Sequence, residues 1–202
     1  MKPPRALALL AVLSAAAFIV LALIASSQYV FPYDYTVQAG LRVDGHPALA
    51  SPMRAVTHLG SGWLLAPLCA VGYVWLRRTG HRLARYLPAT VVGAFLFSAV
   101  TKWLVSRPRP RGRDYGFPSG HTLGATIFFG GVIYLLWTSP IPRVWRVVGT
   151  ALSVLAVLGV AYSRVYLRAH WASDAVGGFV GGLAYLLLVL VAVGRRPAPQ
   201  ST

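Results

Sequence analysis

The chain has 202 residues, a length that suggests one domain, and we predict that residues 1–202 form a single domain. It carries 19 Lys and Arg against 4 acidic residues, which gives a formal net charge of +15. Only 11% of its residues are charged and 56% are hydrophobic, whereas soluble domains have about 25% charged residues. The basic balance alone would suggest nucleic acid, because Lys and Arg neutralise phosphates. The hydrophobic excess argues against a soluble nucleic-acid-binding protein and against a disordered chain, so we expect a membrane protein and no nucleic-acid partner.

A membrane-spanning helix needs about 20 mostly apolar residues, because each residue adds about 1.5 Å along a hydrocarbon core about 30 Å thick. Six segments meet this requirement: Ala6–Ala25, His58–Leu76, Tyr86–Val105, Thr122–Thr138, Val147–Tyr162 and Ala175–Gly194. Backbone polar groups in lipid must pair internally, so these segments should be helices. The sequence therefore predicts an all-α fold, a polytopic membrane helical bundle with six transmembrane helices.

The first of these segments follows Lys2 and Arg5 and could instead be a signal peptide. Its apolar run of 20 residues is longer than the usual signal-peptide core of about 7–15 residues. We therefore favour a retained span.

Lys and Arg concentrate in the short cytoplasmic loops of membrane proteins. Ten basic residues are spread over all the loops of one side, usually next to a span end: Lys2, Arg5, Arg77, Arg78, Arg82, Arg85, Arg143, Arg146, Arg195 and Arg196. The other side has nine, of which seven are concentrated in Lys102–Arg113 and Arg164–Arg168. We interpret the spread set as the topology signal and the concentrated set as a site. Both termini, including a short tail at residues 195–202, are then cytoplasmic.

Two features outside the concentrated set leave alternatives open. The loop Gln28–Thr57 contains Asp34 and Asp44 among apolar residues, and part of it is either a short amphipathic helix at the interface or an ordinary connection. The last span carries four small residues at helical spacing: Gly177, Gly178, Gly181 and Gly182. Such spacing lets helix backbones approach closely, and we favour intramolecular packing over dimerisation.

Three short blocks carry the chemistry. The first is K-W-L-V-S-R-P-R-P from Lys102 to Pro110, the second is Pro118-Ser119-Gly120-His121, and the third is S-R-V-Y-L-R-A-H-W-A-S-D from Ser163 to Asp174. The first two share one loop, and two spans separate them from the third. Because two spans return the chain to the same face, all three blocks should converge there.

The blocks and the segment between the first two contain seven Lys and Arg residues and two acidic ones, so they should bind an anion. Arg offers a planar fork that matches phosphate oxygens, and Lys offers a point charge. Ser119 and Gly120 precede a helix start, where free N–H groups also favour an anion. Phosphate is the natural candidate.

His170 and Asp174 are four residues apart, so on one helical turn they share a face. Asp174 can then accept a hydrogen bond from one ring nitrogen of His170, which leaves the lone pair of the other nitrogen available for attack. His121 comes from the other loop and could donate a proton to a leaving oxygen. A nucleophile, an acid and several cations are the groups that phosphoryl transfer requires.

These blocks resemble the signature of the type 2 phosphatidic acid phosphatase superfamily, K-x6-R-P, P-S-G-H and S-R-x5-H-x3-D. Eleven specified positions match in order, between Lys102 and Asp174, and no signature position departs from the pattern. The resemblance covers residues 86–194, and the six-span layout extends it to most of the chain.

The resemblance implies a role for each matching residue. His170 would attack phosphorus to form a phosphohistidine, Asp174 would orient it, and His121 would protonate the leaving group. The phosphate oxygens would be held by Lys102, Arg109, Arg164, Ser119 and Gly120, the last two chiefly through backbone N–H groups. The family uses no metal, and we expect no cofactor.

Four further arginines, Arg107, Arg111, Arg113 and Arg168, lie outside the signature. They could attract lipid head groups, or they could be solvated loop residues. Asp114 is interpreted as a loop residue.

The resulting prediction is a metal-independent phosphatase of the cell membrane, with its active site on the extracytoplasmic face. Its substrates would be lipid phosphates or diphosphates, such as polyprenyl diphosphate, phosphatidylglycerophosphate or phosphatidate. One alternative is a lipid phosphotransferase that uses the same site, and another is a non-enzymatic lipid-binding membrane protein. The sequence leaves the individual lipid and the oligomeric state open.

Overall fold

The computed structural model describes residues 5–41, 47–111 and 115–195. Eight α-helices follow one another in these ranges: α1 (Arg5–Ser26), α2 (Pro32–Gly40), α3 (Ala50–Thr57), α4 (Gly62–Arg78), α5 (Leu87–Val105), α6 (Gly120–Thr138), α7 (Arg143–Tyr166) and α8 (Ala172–Arg195). Short 3-10 turns occur at Pro47–Leu49, His58–Gly60 and Arg82–Arg85. Apart from one isolated bridge between Pro108 and Tyr115, the regular structure of the described residues is helical. The all-α prediction is confirmed, while Asp44, Arg113, Asp114 and the tail beyond Arg195 lie outside the described residues.

Within the described ranges, five helices are long and apolar enough to cross a membrane: α1, α5, α6, α7 and α8. A sixth span results if α3 with its 3-10 turn and α4 are counted together, as a pair bent by 42°. The predicted second span, His58–Leu76, was wrong at its start, because His58–Gly60 form a 3-10 turn and α4 begins at Gly62. Gly60 packs directly on α6, where a Cβ would lie 2.5 Å from the carbonyl oxygen of His121. Hydropathy alone does not report such a contact.

Helix α8 packs against α1, α6 and α7. The small residues of α8 allow neighbouring parts of the chain to approach its backbone closely. Each glycine of the predicted cluster faces another part of the chain: Gly177 faces Phe117, Gly178 faces Ser119 and Thr122, Gly181 faces Phe18, and Gly182 faces Leu123 and Thr126. An added Cβ would collide with these neighbours at all four positions. The prediction of intramolecular packing is confirmed.

The interhelical loops fall into two groups at opposite ends of the bundle. At one end, the Gln28 side-chain amide after α1 donates to the Val105 carbonyl at the end of α5, at 3.1 Å. At the other end, Arg82 in the α4–α5 connection donates to the Val193 carbonyl near the end of α8, at 2.6 Å. The α5–α6 and α7–α8 loops both lie at the first end, so the predicted convergence of the three blocks is confirmed.

The described part of the segment between α1 and α4 contains two α-helices, so the interpretation of Gln28–Thr57 as an ordinary connection was wrong. Helix α2 begins with Pro32 at a position where proline is favoured. Its Tyr33 and Tyr35 are exposed, while Asp34 and Gln38, one turn apart, are buried. The helix therefore packs on the bundle with a polar face, and this face points to the site described next.

Candidate active site

His170 lies in the turn between α7 and α8, and its side chain is almost completely buried. The turn is closed by backbone hydrogen bonds from Ala169 and His170 to the carbonyl of Arg164, at 3.0 and 3.2 Å. Since α8 begins at Ala172, His170 and Asp174 do not share a helical turn as predicted. Asp174 instead lies in the first turn of α8, where its Oδ2 accepts a hydrogen bond from the Trp171 N–H at 3.0 Å. This helix-capping contact turns the carboxylate back toward the histidine.

Asp174 Oδ2 is 3.6 Å from His170 Nδ1, which is longer than a hydrogen bond. Among the described residues, Nδ1 has no hydrogen-bond partner. Burial lowers the pKa of His170 to about 4; Asp174 opposes this shift, and the positive charges of Lys102 and Arg164 add to it. The imidazole is therefore neutral near pH 7, the form in which a ring nitrogen can act as a nucleophile.

Lys102 is in the last turn of α5 and points at the loop that leads to α6. Its Nζ donates to the carbonyl of Pro118 at 2.5 Å and to those of Tyr115 and Gly116 at 3.4 Å. In this way the predicted phosphate-binding lysine also holds the Pro-Ser-Gly-His loop in place.

The two signature arginines approach from different sides. Arg109 donates from Nε to the Tyr115 carbonyl at 3.3 Å. Arg164, in the last turn of α7, donates from Nη1 to the Thr57 hydroxyl at 3.0 Å. Thr57 is buried at the end of α3, more than a hundred positions before Arg164, and nothing in the sequence marks it as a partner. It is a site residue that sequence reasoning missed.

Ser119 is the residue before α6, and it ties the two loops of the site together. It is fully buried, and its N–H donates to the Asp174 carbonyl at 3.0 Å. This backbone N–H, which was predicted to bind phosphate, therefore already has a hydrogen-bond partner within the protein. The first amide of α6 that bonds back to Ser119 is that of Leu123. The amides of Gly120 and His121 thus belong to the open first turn, where helix N–H groups lack intrahelical partners.

His121 is half-buried in this first turn, and its ring lies within electrostatic range of Arg109, Arg164 and His170. The structure thus brings the predicted residues together from α5, α6, α7, α8 and the two loops. Among the described residues, no group of three His, Cys, Asp or Glu side chains is placed to hold a metal ion.

Arg107 differs most from its prediction. The interpretations as a solvated loop residue or a head-group contact were both wrong, because the side chain is fully buried and forms two ion pairs. Its partners are Asp34 at 3.1 Å and Asp174 at 2.9 Å. Of the other arginines outside the signature, Arg111 is exposed and Arg168 is partly buried.

An apolar cavity of about 440 Å³ opens beside the site, between α4, α5, α6 and α8. Gly120 and His121 line one end, and residues such as Leu83, Leu87 and Leu135 line the other. The stretch of α6 from Gly120 to Leu135 spans about 22 Å at the usual helical rise. The cavity therefore runs through much of the thickness of a bilayer core.

These features define an integral-membrane helical protein with a cationic, histidine-containing site at one end of the bundle. A profile of the PAP2 superfamily matches residues 83–198, and the chain belongs to this superfamily. The resemblance found in the three signature blocks is thereby confirmed.

Two curated relatives and one solved structure are similar to the chain. Phosphatidylglycerophosphatase B of Bacillus subtilis is 31% identical over 185 residues, which cover 85% of this chain and 89% of the relative. The undecaprenyl-diphosphatase of Sulfolobus acidocaldarius is 31% identical over 130 residues, 54% of this chain and 59% of the relative. The crystal structure of a transmembrane PAP2-type phosphatidylglycerolphosphate phosphatase from Bacillus subtilis superposes with a TM-score of 0.74 at 24% identity, covering 87% of this chain and 93% of that chain. The last comparison supports a multi-pass membrane fold.

Proposed function

We propose that the protein is a metal-independent membrane phosphatase that hydrolyses lipid phosphates or diphosphates through a phosphohistidine at His170. The observation that carries the proposal is the buried, neutral His170, backed by Asp174 and surrounded by Lys102, Arg164 and His121. The names of the two relatives suggest phosphatidylglycerophosphate and polyprenyl diphosphate as substrates, with phosphatidate as a third candidate of the same chemistry.

The reaction proceeds in two displacements. In the first, the lone pair of His170 Nε2 forms a bond to phosphorus while the bond between phosphorus and the lipid oxygen breaks. His121, entering the step as an imidazolium, gives one proton to that oxygen and becomes neutral, so the lipid leaves as an alcohol, or as a monophosphate if the substrate is a diphosphate. In the second, water attacks the phosphohistidine, transfers a proton to His121, and releases inorganic phosphate and free His170.

Positive charge develops on the His170 ring as the N–P bond forms, and the Asp174 carboxylate 3.6 Å from Nδ1 stabilises it. Lys102, Arg109 and Arg164 bind the phosphate oxygens, which carry most of the charge in the transition state. The Gly120 amide adds a donor at the positive end of α6. Ser119 contributes by holding the helix start against Asp174.

The apolar cavity accommodates the lipid tail. His121 and Gly120 lie where the cavity meets the cationic site, so a head group at His170 would continue directly into the cavity. A substrate could thus keep its tail in an apolar environment while its phosphate is hydrolysed.

We treat the protein as a single domain. Its orientation in the membrane is inferred from the distribution of basic residues. The N-terminal end of α1 and the C-terminal end of α8 lie opposite the site, next to the arginine-rich connections. With these connections in the cytoplasm, both termini are cytoplasmic and the site opens on the extracytoplasmic face of the cell membrane.

Replacing the nucleophile tests the proposal. The His170→Ala variant should lose at least about a thousandfold in phosphate release, as loss of a nucleophile does in other double-displacement enzymes, and should form no acid-labile phosphoenzyme. The assay uses purified protein and the three candidate lipids, and it measures inorganic phosphate. His81→Ala is the matched control, since His81 caps a 3-10 turn at the opposite end of the bundle. Activity of the His170→Ala enzyme close to that of the control would overturn the assignment.

A further inference from the structure

Behind the candidate site lies a buried ionic cluster of three side chains, all fully inaccessible to solvent: Asp34, Arg107 and Asp174. Arg107 Nη2 is 3.1 Å from Asp34 Oδ2, and Arg107 Nη1 is 2.9 Å from Asp174 Oδ1. One cation between two carboxylates leaves the cluster with a net charge of −1. Such a buried cluster is costly to form, and removal of one member leaves an uncompensated charge.

Ser173 links the members of this cluster. Its hydroxyl accepts from Arg107 Nη1 at 2.7 Å and donates to Asp34 Oδ2 at 2.7 Å, and its N–H donates to Asp34 Oδ1 at 2.8 Å. Both oxygens of Asp34 are therefore bound to the first turn of α8, the turn that contains Asp174. Asp34 thus fixes the position of Asp174 and also balances the charge of Arg107.

Helix α2 makes a second contact with the loop of the nucleophile. The Gln38 amide, one turn after Asp34, donates to the carbonyl of His170 at 3.0 Å and to that of Val165 at 3.2 Å. A helix that carries no signature residue is therefore bound through two buried side chains to the segment that presents His170.

The two oxygens of Asp174 have different partners. Oδ1 accepts from Arg107, whereas Oδ2 accepts from the Trp171 N–H and faces His170. Without Asp34, Asp174 would be the one carboxylate partner left to Arg107 among the described residues, and Arg107 would neutralise its charge. With Asp34 present, the net negative charge is retained close to the ring that becomes cationic when phosphorus binds to it.

We infer that Asp34 is a positioning residue for the phosphoryl-transfer reaction, because it shares the charge of Arg107 and thereby keeps Asp174 oriented and available to His170. The inference rests on the proposed function. It goes beyond that function in assigning part of the catalytic efficiency to helix α2 and to a residue outside the three signature blocks.

The test is kinetic and compares Asp34→Asn with the double variant Asp34→Asn/Arg107→Gln in full-length purified protein. Asp34→Asn removes one negative charge and should lower kcat at least tenfold per folded molecule, with KM within about threefold of the original, because Lys102, Arg109 and Arg164 remain. The double variant removes the opposing charge as well and restores the net charge of −1. Its kcat should recover at least severalfold relative to Asp34→Asn.

A purely structural role would lower the amount of folded protein without this split between kcat and KM. A normal kcat in folded Asp34→Asn overturns the inference. If Asp34→Asn does not fold, the double variant decides: a folded double variant with kcat near the original supports the inference, and an inactive folded one, or one that also fails to fold, overturns it.

The proposed function is assessed separately, because His170→Ala reports on the nucleophile alone. An inactive His170→Ala enzyme together with an unaffected Asp34→Asn enzyme rejects this inference and leaves the proposed function standing.

Discussion

Thr57 and Arg164 form the contact between the signature residues and the α3 helix. The Thr57 hydroxyl accepts from Arg164 Nη1 at 3.0 Å; Thr57 is buried and Arg164 is partly buried. A hydrogen bond to a charged group contributes about 1.5–3 kcal/mol, and about 1.4 kcal/mol corresponds to a factor of ten in rate.

We therefore expect Thr57→Val to lower kcat/KM about tenfold without unfolding the protein, because the side chain keeps its volume and loses only the hydroxyl. Steady-state kinetics with a soluble short-chain lipid phosphate measure the effect. Thr126→Val is the control, since among the described residues the Thr126 hydroxyl bonds to the Thr122 carbonyl within its own helix alone. An equal loss in both variants would contradict a specific effect on Arg164.

The neutral state of buried His170 has a consequence for stability. An unfolded histidine titrates near pH 6.5, whereas burial lowers the pKa of His170 to about 4 in the folded protein. Between these values the unfolded chain binds more protons than the folded one, so stability decreases as the pH falls from about 6.5 toward 4.

We expect the Tm in detergent to fall with acidification more steeply for the unmodified protein than for His170→Asn. The contributions of the other titrating groups are common to both proteins and cancel in the comparison. Equal slopes over pH 7 to 4.5 would show that His170 titrates in the folded and unfolded states alike.

At the level of elements, the contact between α6 and α8 determines how the two loops of the site meet. A Cβ at Gly178 would lie 2.6 Å from the Ser119 carbonyl, and backbone cannot move aside as a flexible side chain can. Overpacking of this kind costs about 1–3 kcal/mol.

Gly178→Ala should therefore lower Tm and also impair turnover, since Ser119 is bonded to Asp174. Gly131→Ala serves as the comparison, because a Cβ at Gly131 meets nothing within 4 Å. Thermal unfolding followed by circular dichroism distinguishes the two, and a Gly178→Ala protein as stable as Gly131→Ala would show that the helices separate at little cost.

Helix α2 shows what could be predicted from the sequence and what could not. Pro32 followed by Asp34 is a recognisable helix start, with proline in the first turn and an acid three residues after the N-cap, so the helix was open to prediction. The pairing of this helix with Arg107 could not be predicted. Asp34 and Arg107 are 73 positions apart, and Arg107 is one of several arginines in its loop. Which of these arginines is buried depends on tertiary packing that spacing does not contain.

The signature residues were more predictable because their spacing and the parity of the spans determine which end of the bundle they reach. His170, Asp174 and His121 meet as expected even though α8 starts later than the predicted shared turn required. The start of α4 was missed for the opposite reason, since it depends on the contact of Gly60 with α6 rather than on local hydropathy.

For the molecule as a whole, we expect an orientation in the membrane with both termini in the cytoplasm and the site on the opposite face. In a Cys69→Ser background, which removes the single native cysteine, Arg111→Cys and Arg78→Cys place one exposed thiol at each end of the bundle. A membrane-impermeant maleimide added to intact cells should label residue 111 and should label residue 78 only after permeabilisation. The reverse pattern would place the site in the cytoplasm.

The bonds of Lys102 to the carbonyls of residues 115, 116 and 118 bear on product release. An ammonium group has three donors, and here all three can be occupied by the protein's own loop. An incoming phosphate must replace these carbonyls as the hydrogen-bond partners of Lys102. The free energy that it gains is only the difference between the bonds of the lysine to phosphate oxygens and its bonds to the carbonyls. Inorganic phosphate, once separated from the lipid tail, loses the apolar part of its binding and must still compete with the loop. If the proposed function holds, the enzyme should therefore resist inhibition by its own product while it holds the lipid-bound phosphate long enough to react.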